Sequence, residues 1–172
     1  MHIFLIGFMC SGKSRIGREL APLLGLPFHD LDRVIERRVG PITPFFQREG
    51  EGAFRKIEAE VILELSQGPD AVIATGGGTP CEDDNLSVMQ ATGTVVWLDV
   101  PLPDLMPRIE RSGGDRPLLF GLKGDALRER VEELLAPRLS VYRKADITVQ
   151  ANVAPPMVAV RIRTALDERQ PR

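Results

Sequence analysis

The sequence predicts an α/β domain in which a parallel β-sheet is covered by helices on both faces. Short apolar segments rich in β-branched residues alternate with segments of helical periodicity, as they do where helices connect parallel strands. No repeat, low-complexity segment or linker divides the 172 residues, so we predict one domain spanning residues 1–172. The predicted strands are 3–6, 27–31, 72–75, 94–100 and 147–149.

The segments between the strands carry apolar residues spaced three or four apart, as on the buried face of a helix. Pro22 is unfavourable in the first of these helices, where we expect it to kink the helix or end its regular part early. Two later helices are predicted, from about residue 125 and from about residue 156 to 166. The two clearest buried faces are Ile16, Leu20, Leu23 and Leu24, and Phe54, Ile57, Val61 and Leu65.

The charge balance gives no sign of a general affinity for nucleic acids or acidic membranes. The net charge is −2, so an anionic ligand must be bound by local groups. The apolar segment 3–10 is too short to span a membrane and lacks the basic flank of a signal peptide. We therefore expect a cytoplasmic protein that binds neither nucleic acid nor membrane, with Cys10 and Cys81 unbridged and no zinc site at His2 or His29.

Residues 7–14, which follow the first predicted strand, read GFMCSGKS and match the pattern G-x-x-x-x-G-K-[ST] of a phosphate-binding loop. In such a loop the backbone N–H groups and the helix N-terminus face phosphate oxygens. Lys13 would reach the β- and γ-phosphates, and the Ser14 hydroxyl would bind Mg²⁺. The alternative is a chance glycine-rich turn, but the flanking strand and helix favour a nucleoside triphosphate as the ligand.

Asp30 and Asp32 follow the second predicted strand. Alternation along that strand would place both carboxylates on the same side, with Leu31 facing away. Two carboxylates beside a phosphate loop suit a Mg²⁺ shell or a polyhydroxy ligand. Alternatively, one of them caps the following helix, predicted over residues 33–39.

Arg55 and Glu58 lie three residues apart on a helix, close enough to interact. Either they form an ordinary surface ion pair, or Glu58 holds Arg55 to bind an anionic substrate. Gly76, Gly77 and Gly78 directly follow the third strand. Three glycines permit dihedral angles that other residues avoid and a close approach to the main chain, so they suggest a ligand there.

Two later segments concentrate basic residues. Residues 108–124 contain Arg108, Arg111, Arg116 and Lys123 among several glycines, which is typical of a mobile lid that brings cations over phosphates. We place this lid at about residues 112–124, with a disordered surface loop as the alternative. The second segment, 137–146, begins with Pro137-Arg138.

The ordered combination of these motifs resembles the shikimate kinases, a family of the nucleoside-monophosphate-kinase-like P-loop proteins. The resemblance extends over about residues 3–149. A phosphate loop alone is generic, but D-x-D, F-R-x-x-E, G-G-G and R-P-L-L in this order are highly specific. These motifs are Asp30-Leu31-Asp32, Phe54-Arg55 with Glu58, Gly76-Gly77-Gly78, and Arg116-Pro117-Leu118-Leu119, accompanied by Gly50-Glu51, Thr75, and Arg138 with Tyr142.

The resemblance implies a three-layer P-loop fold with a five-stranded parallel sheet and a mobile lid. It implies transfer of the ATP γ-phosphoryl group to the 3-hydroxyl of shikimate, giving shikimate 3-phosphate for chorismate and aromatic amino acid biosynthesis. Mg²⁺ is the implied cofactor, ATP and shikimate are the implied partners, and we expect a monomer. The main rivals are another small-molecule kinase of this fold, such as a gluconate kinase, and a non-catalytic nucleotide-binding module.

The resemblance also implies roles for individual residues. Asp32 is in addition a candidate base, which we hold as a hypothesis, and either Arg108 or Arg111 would stack on adenine. The implied catalytic residues are Lys13, Asp32 and Arg116. The implied ATP-binding residues are Cys10, Ser11, Gly12, Lys13, Ser14, Arg15 and Arg116. The implied shikimate-binding residues are Asp32, Arg55, Gly76, Gly77, Gly78 and Arg138, and the implied metal ligands are Ser14 and Asp30, directly or through water.

The sequence departs from the family pattern in the phosphate loop. Cys10 stands where the family usually has glycine, so the dihedral angles there must suit a side chain. Arg15 stands where the family usually has Thr or Ser, so an extra cation replaces a hydroxyl contact to phosphate. Pro41 and Pro44 precede the F-R-x-x-E motif and are expected to alter the helix that lines the substrate pocket.

Overall fold

A computed structural model describes residues 1–112 and 117–169. Its centre is one five-stranded parallel sheet in the order β2-β3-β1-β4-β5, which confirms the predicted fold class. The strands are β1 (His2–Ile6), β2 (Phe28–Asp30), β3 (Val72–Ala74), β4 (Gly93–Asp99) and β5 (Ile147–Gln150).

Seven helices lie among the described residues and surround the sheet, with α1 packed on α7 and α2 packed on α3. Two short 3₁₀ turns, Thr79–Cys81 and Pro117–Leu119, follow β3 and α5. The helices are α1 (Lys13–Leu24), α2 (Leu31–Val39), α3 (Ile42–Ser66), α4 (Asn85–Thr92), α5 (Leu102–Arg111), α6 (Gly124–Tyr142) and α7 (Pro155–Arg169).

The strand order determines where a ligand can bind. β1 is buried along its whole length, with β3 on one side and β4 on the other. The helix that follows β1 packs on α7, whereas the helices before and after β3 pack on each other. Where neighbouring parallel strands lead into helices on opposite faces of a sheet, a crevice opens beyond the carboxyl ends of those strands. The phosphate loop and the three glycines after β3 both lie at that edge.

The structure revises the picture of three helices, and it contradicts one predicted boundary, the start of α2. Pro22 does not end α1 early: the helix continues to Leu24 and is closed by Gly25, whose φ of 65° is left-handed. α2 begins at Leu31 instead of at residue 33. α3 begins at Ile42, before the predicted apolar face, and is interrupted at Gly50, where φ is 84° and ψ is 173°; only glycine adopts such angles readily.

Within the described residues, no helix combines the length and the apolar character that crossing a membrane requires.

Candidate active site

The phosphate loop depends on left-handed backbone at three positions. Gly7 has φ of 144° and Gly12 has φ of 96°, and Cys10, although not glycine, has φ of 61°. A Cβ atom on Gly7 would lie 2.8 Å from the carbonyl oxygen of Leu98, so this position also requires the absence of a side chain. We expected the dihedral angles at Cys10 to suit a side chain, but Cys10 has a left-handed conformation that residues other than glycine rarely adopt.

Lys13 is the first residue of α1 and lies inside the loop. Its side chain is 8% exposed, and its ammonium donates to the carbonyl oxygens of Gly7 at 2.7 Å and Phe8 at 2.9 Å. These contacts place a buried cation at the N-terminus of a helix, where phosphate oxygens are favoured.

A cavity of about 430 Å³ opens beside this loop, and we call it the phosphate cavity. Lys13, Arg15 and Arg18 line it from α1, so α1 contributes three cations to this cavity. Asp30 and Asp32 line it as well. The cavity therefore combines cations for phosphate oxygens with carboxylates suited to a divalent ion.

The two aspartates reach the phosphate cavity, but not by the predicted alternation along a strand. β2 ends at Asp30, and Asp32 lies in the first turn of α2, with Leu31 fully buried between them. Asp30 precedes α2 but makes no side-chain capping bond, so its carboxylate is not used to close the helix. Asp32 carries its charge where the dipole of α2 favours it.

A second cavity of about 120 Å³ lies next to the first, and we call it the acceptor cavity. Asp32, Gly76 and Gly77 line both cavities, as does Met9. The remaining walls of the acceptor cavity are apolar, apart from the side chains of Arg55, Glu58 and Arg138. They are formed by Ile42, Phe46, Phe54 and Leu118, together with Gly78.

The predicted pair of Arg55 and Glu58 forms, and it is not an ordinary surface ion pair. The two side chains are 12% and 1% exposed, with 2.5 Å between Nη1 of Arg55 and Oε2 of Glu58. The other carboxylate oxygen of Glu58 accepts a hydrogen bond from Thr79 at 2.6 Å. Glu51 also contacts Arg55, at 3.2 Å. Glu51 and Glu58 of α3 thus hold the guanidinium at the rim of the acceptor cavity, and Thr79 holds Glu58.

Burial and charge act in opposite directions on this pair. Burial raises the pKa of Glu58 above its ordinary value, and the attraction of Arg55 and the hydrogen bond from Thr79 only partly counter it. For Arg55, burial alone would lower the pKa. The carboxylates of Glu58 and Glu51 outweigh burial, so the pKa of Arg55 lies above its ordinary value. Arg55 is therefore a permanent cation.

The three glycines after β3 are required by close packing and not by unusual dihedral angles. None of them has a positive φ, so the predicted dihedral requirement is wrong. Instead, a Cβ on Gly76 would lie 2.7 Å from Oε1 of Glu58, and one on Gly78 would lie 2.9 Å from both Nη atoms of Arg55. The packing is looser at Gly77, where a Cβ would lie 3.3 Å from the backbone nitrogen of Met9 and 3.4 Å from Nη1 of Arg138. The glycines leave room for the polar side chains of the acceptor cavity.

Arg138 enters the acceptor cavity from α6 and stacks over the ring of Phe8, 5.6 Å from its centroid. One turn later, the fully buried Tyr142 donates a hydrogen bond of 2.5 Å to the carbonyl oxygen of Gly77. Burial raises the pKa of the Tyr142 phenol, so it stays protonated and remains a donor. This bond ties α6 to the segment that carries the three glycines.

The comparisons with known proteins agree with this geometry. A sequence model of the family described as shikimate kinase matches residues 9–167. This chain belongs to the shikimate kinase family. The shikimate kinase of Parabacteroides distasonis is 43% identical over 151 residues, which are 87% of this chain and 87% of that protein.

Solved shikimate kinases have the same fold. The crystal structure of the shikimate kinase from Bacteroides thetaiotaomicron is 32% identical, with a TM-score of 0.91 over 97% of this chain and 98% of that chain. The shikimate kinase of Acinetobacter baumannii, solved in complex with shikimate, is 34% identical, with a TM-score of 0.89 over 99% of this chain and 95% of that chain. The predicted family and enzyme class are therefore confirmed: shikimate kinases are ATP-dependent kinases that phosphorylate a hydroxyl of shikimate.

The structure brings the predicted phosphate, metal and acceptor residues that it describes to one edge of the sheet. The three arginines predicted in or near the lid differ in position. Arg116 lies outside the described residues. Arg108 reaches back toward the loop, with Nη1 3.5 Å from the carbonyl oxygen of Cys10. Arg111 is exposed at the end of α5, where its Nε donates to the carbonyl oxygen of Pro107.

Sequence reasoning missed several residues that line the two cavities or support their walls. Ile42 and Phe46 line the acceptor cavity because α3 begins at Ile42, before the apolar face that the sequence predicted. Thr79 carries no sequence signal beyond following the three glycines, and its contact with Glu58 joins residues 21 positions apart. Arg18 lies on α1 and lines the phosphate cavity. Its position four residues after Ser14, on the same face of the helix, could have indicated this.

Proposed function

We propose that this chain transfers the γ-phosphoryl group of ATP to the 3-hydroxyl of shikimate, giving shikimate 3-phosphate for chorismate and aromatic amino acid biosynthesis. We further propose that it acts as a cytoplasmic monomer, with residues 1–172 forming one domain. One observation carries the residue assignments: the phosphate cavity and the acceptor cavity share a wall formed by Asp32, Gly76 and Gly77. A donor in one cavity and an acceptor in the other would meet at that wall, as in-line transfer requires.

On the donor side, the loop from Cys10 to Gly12 would present its backbone N–H groups to the phosphates. Lys13 would exchange its bonds to the loop carbonyls for bonds to the β- and γ-phosphates, and Arg15 would add a second cation. The exchange conserves the hydrogen bonds of the ammonium while placing it beside the transferred group.

Ser14 and Asp30 fit a Mg²⁺ ion. The described residues contain no cluster of three or more His, Cys, Asp or Glu side chains that could hold a metal alone. Mg²⁺ bound with a nucleotide needs only one or two protein oxygens, because phosphates and water complete its octahedral shell. The hydroxyl of Ser14 and the carboxylate of Asp30, which makes no capping hydrogen bond to α2, supply such oxygens in the phosphate cavity. When bound, the ion would neutralise charge on the phosphates.

On the acceptor side, Arg55 and Arg138 would bind the carboxylate of shikimate, and Gly76–78 would let the ring approach the main chain. Asp32 would accept hydrogen bonds from ring hydroxyls at the wall between the two cavities. Its position there also allows it to receive the proton of the attacking hydroxyl, as a base. A loose transition state gains little from early proton removal, so the orienting role carries more of the rate.

Two arginines of the lid region complete the proposal. Arg116 would close over the phosphates with the lid at residues 112–124 and exclude water. Arg111 is a better candidate than Arg108 for stacking on adenine, because Arg111 is exposed and Arg108 is directed toward the phosphate loop.

The test is an ADP-coupled assay with shikimate and, separately, gluconate as the acceptor. We expect turnover with shikimate only. Arg55→Ala should lower kcat/KM for shikimate by about 2–4 kcal/mol, mainly through KM, because a charged hydrogen bond to the substrate is lost. Arg48→Ala is the matched control, since Arg48 lies on the same helix and is exposed.

Turnover with gluconate alone would overturn the proposed substrate. Wild-type kinetics in the Arg55→Ala variant would remove Arg55 from the carboxylate site and leave the substrate assignment standing.

A further inference from the structure

Thr79 lies behind the ion pair of Arg55 and Glu58, away from any atom that reacts. It is fully buried, and its Oγ1 donates to Oε1 of Glu58 at 2.6 Å, while Arg55 donates to Oε2 at 2.5 Å. Each oxygen of the buried carboxylate therefore has its own donor. We propose that Thr79 is a positioning residue, whose hydroxyl fixes the Glu58 carboxylate and thereby directs the Arg55 guanidinium at the acceptor cavity. This inference rests on the proposed role of Arg55 in binding the substrate carboxylate.

Thr79 is itself held rigidly. It begins the 3₁₀ turn Thr79–Cys81. Its carbonyl oxygen accepts a hydrogen bond of 2.8 Å from the side chain of Asn85, the first residue of α4, which is 4% exposed. A fixed turn is what a positioning hydroxyl needs, because a side chain that acts at a distance must not move.

The space for this hydroxyl is provided by Gly76. A Cβ on Gly76 would lie 2.7 Å from Oγ1 of Thr79 and 2.7 Å from Oε1 of Glu58, so any side chain there would separate the two atoms. Gly76 thus allows the hydrogen bond between Thr79 and Glu58 to form, and Gly78 leaves room for the guanidinium of Arg55.

The electrostatics around Glu58 make the hydroxyl important. Burial disfavours the ionised carboxylate, and Asp32, facing it from α2, adds a like charge. Arg55 from its own helix opposes these effects, but Arg55 also contacts Glu51 and Glu82. Thr79 is the neutral donor that favours the ionised form of Glu58. Without it, the carboxylate would protonate at a higher pH and Arg55 would turn toward its other partners.

The test compares Thr79→Val, which keeps the shape but removes the hydroxyl, with Thr79→Ser, which keeps the hydroxyl and removes a methyl group. We expect Thr79→Val to raise the shikimate KM roughly 10-fold, the effect of losing a hydrogen bond to a charged group, with the ATP KM unchanged. The acid limb of the pH profile of kcat/KM should move to higher pH. Thr79→Ser should keep the wild-type shikimate KM and the wild-type pH profile. A purely packing role predicts the opposite order, with Thr79→Ser the more impaired variant, and that outcome would overturn the proposal.

A double-mutant cycle with Glu58→Gln keeps the proposal testable if Thr79→Val lowers stability. If Thr79 acts through Glu58, adding Thr79→Val to Glu58→Gln should change the shikimate KM less than about 2-fold. If the fold-changes in shikimate KM of the two single variants multiply in the double variant, Thr79 does not act through Glu58. Arg55→Ala distinguishes failure of the proposed substrate site from failure of the role of Thr79. A normal shikimate KM in Arg55→Ala refutes the proposed site. A raised KM in Arg55→Ala together with a normal KM in Thr79→Val refutes only the role of Thr79.

Discussion

Replacing Gly78 with alanine should impair substrate binding while leaving the fold intact. Gly78 has φ of −87° and ψ of −19°, angles that alanine adopts readily. The added Cβ would lie 2.9 Å from both Nη atoms of Arg55, whereas ordinary contact begins at 3.4 Å. The guanidinium must therefore move by about 0.5 Å, the difference between these two distances. The moving group is the end of a flexible side chain, so the backbone need not shift.

The size of the kinetic effect follows from this displacement. A misplacement of about 1 Å can lower the rate about 100-fold. A displacement of about 0.5 Å should therefore lower kcat/KM for shikimate roughly 10-fold, mainly through KM. The ATP KM should stay unchanged. The free energy of unfolding should stay within about 1 kcal/mol of wild type, since alanine restricts the unfolded chain and offsets the cost of moving Arg55.

The measurements are steady-state kinetics with each substrate varied in turn and urea unfolding at equilibrium. Gly52→Ala is the matched control, because Gly52 lies on the helix that carries Arg55 and a Cβ there would meet nothing within 4 Å. A normal shikimate KM in Gly78→Ala, or an equal rise in Gly52→Ala, would refute the idea that this glycine makes room for Arg55.

Two further predictions concern stability. Tyr142→Phe should lower the free energy of unfolding by about 1–3 kcal/mol, because the carbonyl oxygen of Gly77 loses its buried donor; an unchanged urea midpoint would show that this bond contributes nothing. Glu58→Gln should change the pH dependence of stability. Since the folded pKa of Glu58 is raised, its contribution is greatest below the ordinary Glu pKa and is lost as pH rises through the folded value. The stability of wild type relative to Glu58→Gln should therefore fall as the pH rises above the ordinary Glu pKa, measured by urea unfolding at several pH values, and a constant difference would contradict the raised pKa.

The sequence predicted the sheet well because its strands are short apolar segments between clear turns. All five predicted strands are present, each within one residue of the predicted bounds at either end. Helix boundaries were harder. The start of α2 at Leu31 depends on burial of that side chain, and the start of α3 at Ile42 precedes the periodic apolar residues. Such boundaries follow from tertiary packing more than from local propensity.

By itself, the sequence determined the phosphate loop, the pairing of Arg55 with Glu58 and the family, because each depends on residues close together in the chain or on motifs in a specific order. Only the tertiary structure showed why Gly76 and Gly78 are needed and that Thr79 donates the second hydrogen bond to the Glu58 carboxylate. Both facts depend on atoms that meet from separate elements within 3 Å. Local patterns encode which residues share a face, whereas contacts this close are decided by the packing of the whole sheet edge.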